Sequence, residues 1–252
     1  PIKAGQVIPG YFRYIAPYDL IYYPEDAKIN PRWDNRWVYL TDGRTLHKAF
    51  VISLEKRMGH GFQAMGSYTR STTWDDRDQW SFNRAASRPE DRGAEWSYST
   101  THRPHRLVVS AVWQSPFRNV LIRDWSVSAI GVFQSQNAEE TKANIDLNND
   151  KSPMDRPPDM ARTKLFNDSF YKNIDLHVSR SVPVGRVRAE VIAEAFNLFN
   201  FVNYRTHRVV GFMYLTSRNA SGNTVLTPDT RYGAPATAHA PFQGQFGFRL
   251  TF

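Results

Sequence analysis

Strict alternation of apolar and polar residues constrains this chain more than any other feature. In a strand, successive side chains point to opposite faces, so a period of two assigns one residue set to each face. The clearest case is 173–179. Ile174, Leu176 and Val178 share one face, and Asn173, Asp175, His177 and Ser179 share the other. The last segment repeats it, with Phe246, Phe248, Leu250 and Phe252 set against Gln245, Gly247, Arg249 and Thr251.

Five further segments alternate in the same way: 48–57, 62–72, 105–114, 124–135 and 187–197. In 105–114, for example, Leu107, Val109, Ala111 and Trp113 oppose Arg106, Val108, Ser110 and Gln114. The segment from Arg188 to Phe199 is also rich in Ala and Glu, which favours helix by propensity alone. The cleaner split at period two predicts a strand. Proline cannot donate to a β-ladder and avoids central strands, and the prolines fall outside these segments; Pro116 and Pro183 are placed in short connections.

The connections alternate in length. Residues 58–61, 115–123 and 182–186 are short, whereas 73–104, 136–170 and 198–242 are long. Structureless loops of that length are uncommon in compact soluble domains. Short turns at one end and long loops at the other are the layout of an outer-membrane barrel, and a ten-residue strand rises roughly 33 Å, enough to cross the apolar band when tilted. Strand 243–252 then runs towards the short-turn side, which places the C-terminus in the periplasm. Residues 1–47 are aromatic and irregular, and are expected to form an outer loop with one upstream strand around Tyr11–Tyr23. Residues 48–252 are expected to be barrel strands.

Composition excludes several rivals. No apolar run approaches the roughly 20 residues of a transmembrane helix, and the mean hydropathy is −0.54. Cysteine is absent, which removes disulfide frameworks and cysteine nucleophiles. Aromatic residues make up 14% of the chain, which suits strands and interfacial girdles. The net charge is +8, but Arg is interspersed with Asp and Glu and forms no long basic run. A mixed-charge surface is therefore expected, with no nucleic-acid partner. The chain opens on Pro1 with no signal-peptide pattern, as a piece of a larger or processed protein would.

The run 171–181, a turn, and then 187–200 with Glu194-Ala195-Phe196-Asn197-Leu198-Phe199-Asn200 resembles the penultimate hairpin of TonB-dependent outer-membrane receptors. The ending Gly244 to Phe252 resembles their final strand. Segments 54–57, 62–70, 103–110 and 146–158 are similar to the Oar-like subgroup. The resemblance spans roughly residues 40–252. It implies an all-β, antiparallel transmembrane β-barrel, of which this chain supplies the C-terminal seven or eight strands; the whole would have roughly 22 strands and a plugged lumen. It further implies uptake of a bulky substrate, with a plug and the TonB energy complex as partners in the full protein. Phe252, with Phe248 and Phe246, resembles the signal that the barrel assembly machinery reads. Outer-membrane lipid and lipopolysaccharide are the expected surroundings.

Asp146, Asn148, Asp150 and Ser152, with Asp155 close behind, have the spacing of the first half of a calcium loop. Lys151 stands where Gly is needed and no Glu closes the loop, so an Asp/Asn-rich turn is the preferred account. Calcium is the one candidate cofactor. Asp175, His177, Arg188, Glu190, Glu194 and Arg249 are expected on the lumen face. Glu190 and Glu194 could in principle do acid–base work, but a charge-lined lumen is the simpler account, and no enzyme activity is expected. Tyr68, Trp113, Trp125 and Tyr171 are read as interface anchors. Two rivals remain: a structural barrel subunit of an envelope assembly without transport of its own, and a soluble β-sandwich that binds carbohydrate or nucleic acid.

Overall fold

The computed structural model describes residues 41–76, 87, 92–141, 146, 155–156, 160–165, 170–205, 214–218 and 224–252. The expected strand around Tyr11–Tyr23 lies outside them. The elements in chain order are β1 (Thr45–Gly59), β2 (Phe62–Asp75), a 3₁₀ turn at Arg92–Glu95, β3 (Ser97–Tyr98), β4 (His105–Gln114), β5 (Trp125–Ser135), β6 (Ala138–Glu140), β7 (Thr163–Leu165), β8 (Phe170–Val184), β9 (Val187–Phe196), β10 (Tyr214–Arg218), β11 (Thr224–Pro228) and β12 (Gln243–Thr251). No α-helix occurs among the described residues.

The alternating segments became the main sheet. It runs in the order β1-β2-β4-β5-β8-β9-β12, with every neighbour antiparallel. The Ala/Glu-rich segment is β9, wedged between β8 and β12, so packing on both flanks overrides its helical propensity. β3 extends the sheet beside the end of β2. β6 pairs with β7, and β10 with β11, as separate two-stranded sheets within the long connections. Among the described residues β1 and β12 are the free edges, and the sheet is not closed.

Tight turns set the register. Between β1 and β2 the chain turns through His60 (φ 53°) and Gly61 (φ 76°), the left-handed pair that a two-residue hairpin favours. Gly61 is fixed for a second reason. A Cβ there would lie 2.1 Å from the carbonyl oxygen of Gln114, while the Gln114 N–H donates to Gly61 O at 2.7 Å. β8 and β9 join through Gly185 and Arg186. Pro183, expected in the connection, instead lies near the end of β8, opposite Arg188. The strand runs almost to the turn, and a proline is tolerated at such a terminal position.

At the other end of β9 the chain leaves through Asn197 (φ 49°) and Asn200 (φ 52°), both left-handed. Asn tolerates that conformation better than most residues because its amide bonds locally. The Asn197 amide accepts from Phe201 N at 2.9 Å and donates to Phe201 O at 3.0 Å, and the Asn200 amide accepts from Phe242 N at 3.0 Å. The distinctive 194–200 run is therefore a strand end followed by a self-capped turn.

Candidate functional site: two faces and two rims of a sheet

Burial is inverted relative to a water-soluble domain. Among the described residues the buried side chains other than Ala138 and Pro104 are polar or charged, including Asp75, Glu95, His102, Arg156 and Arg162. Large apolar side chains crowd the exposed surface, from Phe50 and Leu54 on β1 to Phe246 and Phe248 on β12. A patch of that extent marks contact with another apolar phase.

The register shows that most of the exposed apolar residues of the main strands form one band, while Val51, Met65 and Ile130 fall on the other face. Cross-strand partners share a face, and the rows align across the whole sheet. One row runs Ile52, Tyr68, Leu107, Phe133. Others run Leu54, Gly66, Val109, Gly131, Ile174 and Ala64, Ala111, Ala129, Leu176, Ala195. Val127, Val178, Ala193 and Phe246 continue the band, and Val191 with Phe248 and Ala189 with Leu250 complete it. Charges meet it at its margins, where Arg180 opposes Val191, Lys56 opposes Ala64 and Lys172 opposes Phe133. Gly131 gives Phe133 and Val109 their room, since a Cβ would come within 2.9 Å of Val109 Cγ2 and 3.1 Å of Phe133 Cε2.

The charges on that face lie towards the two ends of the strands, and all are cations. Lys48, Arg70 and Lys172 stand towards the long connections, and Lys56 and Arg180 towards the short turns. Trp113 and Trp125 share this face beside the short turns. Arg180 lies over the Trp125 ring at 5.4 Å, and Lys56 over Phe62 at 5.4 Å. Tyr68 is also on this face, where its hydroxyl pairs with His105 Nδ1 at 2.7 Å. Tyr171 is not. It opposes Gln134, on the other face, and meets His239 edge-on at 5.3 Å.

The opposite face carries most of the strands' polar residues, and the residues expected to line a lumen fall on it. His177 donates from Nδ1 to Glu194 Oε1 at 2.8 Å, and Gln245 Nε2 donates to Glu194 Oε2. Glu194 thus ties β8 to β12 across β9. Asp175 accepts from Asn173 Nδ2 at 2.8 Å and from the Asn197 backbone N–H at 2.9 Å. Arg249 donates to Glu190 at 3.2 Å. Arg188 is exposed between Pro183 and Thr251 on the same face. These pairs are half-open to solvent, and among the described residues no group of His, Asp and Glu is arranged to hold a metal. Of the candidate calcium ligands, Asn148 and Asp150 lie outside the described residues, and Asp155 is buried.

Sequence reasoning missed a buried cluster at the long-connection rim. Arg156 reaches both carboxylate oxygens of Glu95 from Nη1, at 2.9 and 2.8 Å, and donates from Nη2 to Ala94 O at 2.7 Å. Arg162 donates to the Asp75 carboxylate from Nη2 and to Glu95 O from Nε at 3.1 Å. Thr163 Oγ1 donates to Tyr98 O at 2.6 Å and Ser97 Oγ sits 2.9 Å from it. The partners come from two different connections, so no local pattern announces them. Trp74, Tyr98 and His102 stack alongside, with ring centroids 4.4 Å apart at each step. Burial, then the nearby charges of Arg70 and His47, hold His102 below the usual histidine value. Its Nδ1 accepts the Thr73 backbone N–H at 3.2 Å, which requires the neutral ring.

A band of this kind, with its polar counterpart behind it, fits a wall between lipid and water. Comparison with known families agrees: residues 15–169, more than half of the chain, match the family described as an outer membrane beta barrel domain. The chain belongs to that family. Searches of curated proteins and of solved structures found no match. As an outer-membrane barrel domain, the protein puts its apolar band against lipid, which removes the soluble β-sandwich: no second layer covers the band among the described residues. The matched span ends before β8, so the hairpin and last strand that resemble TonB-dependent receptors lie outside it.

Proposed function

We propose that this barrel wall is the C-terminal part of a TonB-dependent transporter that moves a bulky substrate across the outer membrane. The observation that carries the reading is the open sheet: β1 and β12 do not pair with each other among the described residues, as in a wall that continues into further strands. The resemblance of 171–200 and 244–252 to that family supports it. In this reading the long connections face outside, the C-terminus lies in the periplasm, Phe246, Phe248 and Phe252 form the strand handed to the assembly machinery, and Asp175, His177, Arg188, Glu190, Glu194 and Arg249 face a plug or passing substrate. Calcium at 146–155 is not required by it.

The test is the intact mass of the native protein from detergent-solubilised membranes, run with and without heating on a gel. The reading predicts heat-shifted migration and a mass several times the chain's 29.1 kDa. A heat-shifted species near 29.1 kDa overturns it. A structural wall without transport is the second reading, favoured by the buried ion pairs that pin two long connections together. Crosslinking in cells to an inner-membrane energy protein supports the transporter, and its absence at a large native mass supports the structural wall.

A further inference from the structure

The three short turns of the wall differ. Two are polar two-residue turns, His60-Gly61 and Gly185-Arg186. The third, between β4 and β5, is longer, and carries Phe117, Val120, Leu121 and Ile122 on its surface, with Val120 60% and Leu121 73% exposed. A turn exposed to water does not gain from such residues, and here they are not spread along a floppy loop. Asn119 nucleates a tight bend: its Oδ1 accepts Leu121 N at 3.0 Å, and its carbonyl accepts Ile122 N at 3.1 Å and Arg123 N at 2.8 Å. The bend projects the apolar side chains together.

The bend is tied to one face of the wall. Trp125 Nε1 donates to Leu121 O at 3.1 Å, and Arg180 Nη2 donates to Val120 O. Trp125 and Arg180 are cross-strand partners on the apolar face, at its short-turn margin. The backbone of 120–121 is therefore held against the lipid side of the wall and away from the lumen. Arg118 and Arg123 flank the apolar stretch in sequence. Apolar side chains with an indole and several guanidinium groups beside them match the boundary between acyl chains and anionic headgroups.

We infer that the 117–122 turn is a membrane-embedded foot: its apolar side chains enter the leaflet at the short-turn rim, and Arg118, Arg123 and Arg180 meet lipid phosphates. The occupant of this surface is lipid, not a periplasmic protein. The foot anchors the depth of the wall, a role the other two turns lack. It rests on the band facing lipid, and its test keeps the two claims apart.

The chain has no cysteine, so one introduced thiol gives one labelled site. The native barrel carries an environment-sensitive fluorophore at Leu121→Cys, at Arg186→Cys in a polar turn, or at Phe248→Cys in the band. Each is reconstituted in phosphatidylcholine–phosphatidylglycerol vesicles containing lipids brominated near the headgroup end of the acyl chain. The expected result is strong quenching at 121, several-fold above that at 186, with iodide in the water quenching 186 and not 121. Quenching at 248 with none at 121 overturns the foot while leaving the wall in lipid. No quenching at either site overturns both. Equal lipid quenching at 121 and 186 also overturns the inference, because the foot is then no different from an ordinary turn.

Discussion

The sheet and the cluster above it solve opposite problems with the same chain. In the sheet, apolar side chains are exposed and the interior-facing surface is polar, because the surrounding phase is lipid. In the cluster, Asp75, Glu95, Arg156 and Arg162 are buried among connections that show no apolar core among the described residues. The sheet is held by ladder hydrogen bonds, which lipid cannot replace. The cluster is held by charge pairs that water would otherwise screen. The comparison teaches that burial in this protein does not mean what it means in a soluble domain: a buried residue here is a polar one that ties loops, and an exposed apolar one is doing its structural work in the membrane.

The largest effect that separates the regions should come from breaking one buried pair. Arg156→Ala leaves the Glu95 carboxylate buried without its guanidinium, a change of about 3–5 kcal/mol in a buried pair. Hydrogen exchange should rise across 92–98 and 160–165 while the barrel keeps its heat-shifted migration. Replacing both partners, as Glu95→Leu with Arg156→Met, should restore much of the protection. If the single change unfolds the sheet too, the two regions are one cooperative unit and the contrast is wrong.

Next in size is a charge on the band. Val109→Arg, in the middle of the band, should cost about 2–4 kcal/mol near the membrane midplane, read from denaturant unfolding in vesicles. Val108→Arg, one residue back and on the opposite face, should cost far less.

A pH effect near neutrality is expected beside the cluster, at His102. Because His102 is held below 6.5 by burial and by Arg70 and His47, it stays neutral in the fold when an unfolded histidine would take a proton. Its contribution is complete above pH 6.5 and is lost as pH falls below that value, fully so below the lowered folded value. Loop protection should decline over that window, and His102→Gln should flatten the decline. The smallest effect belongs to the half-open lumen pair. Arg249→Gln should change stability by about 0.2–1 kcal/mol, the scale of an exposed ion pair.

Much of the wall was legible in the sequence because a period of two is a local signal. The segments 48–57, 62–72, 105–114, 124–135, 173–179, 187–197 and 243–252 coincide with strands of the main sheet, save that Asp124, Asn197 and Phe252 lie one residue beyond them, and the alternation also separated the faces, as at Ile174 against Asp175. The helical propensity of 188–199 misled no further than a rival reading, since a residue pattern split between two faces outweighs a weak preference. Pro183 was misplaced because a strand end tolerates proline. Tyr171 was misread as an anchor because an aromatic near a strand end can face either side, and only the register with Gln134 decides. The buried cluster was invisible for a deeper reason: Arg162 and Asp75 are 87 residues apart, and nothing in either neighbourhood requires the other.

A cysteine scan of β9 tests the assignment of faces most directly. Each of residues 188 to 195 is changed in turn to the chain's sole cysteine, and the native barrel in vesicles is treated with a water-soluble maleimide. The predicted result is alternation, with labelling at Arg188, Glu190, Ile192 and Glu194 and protection at Ala189, Val191, Ala193 and Ala195. Uniform labelling, or the inverse pattern, would contradict a wall whose apolar band faces lipid.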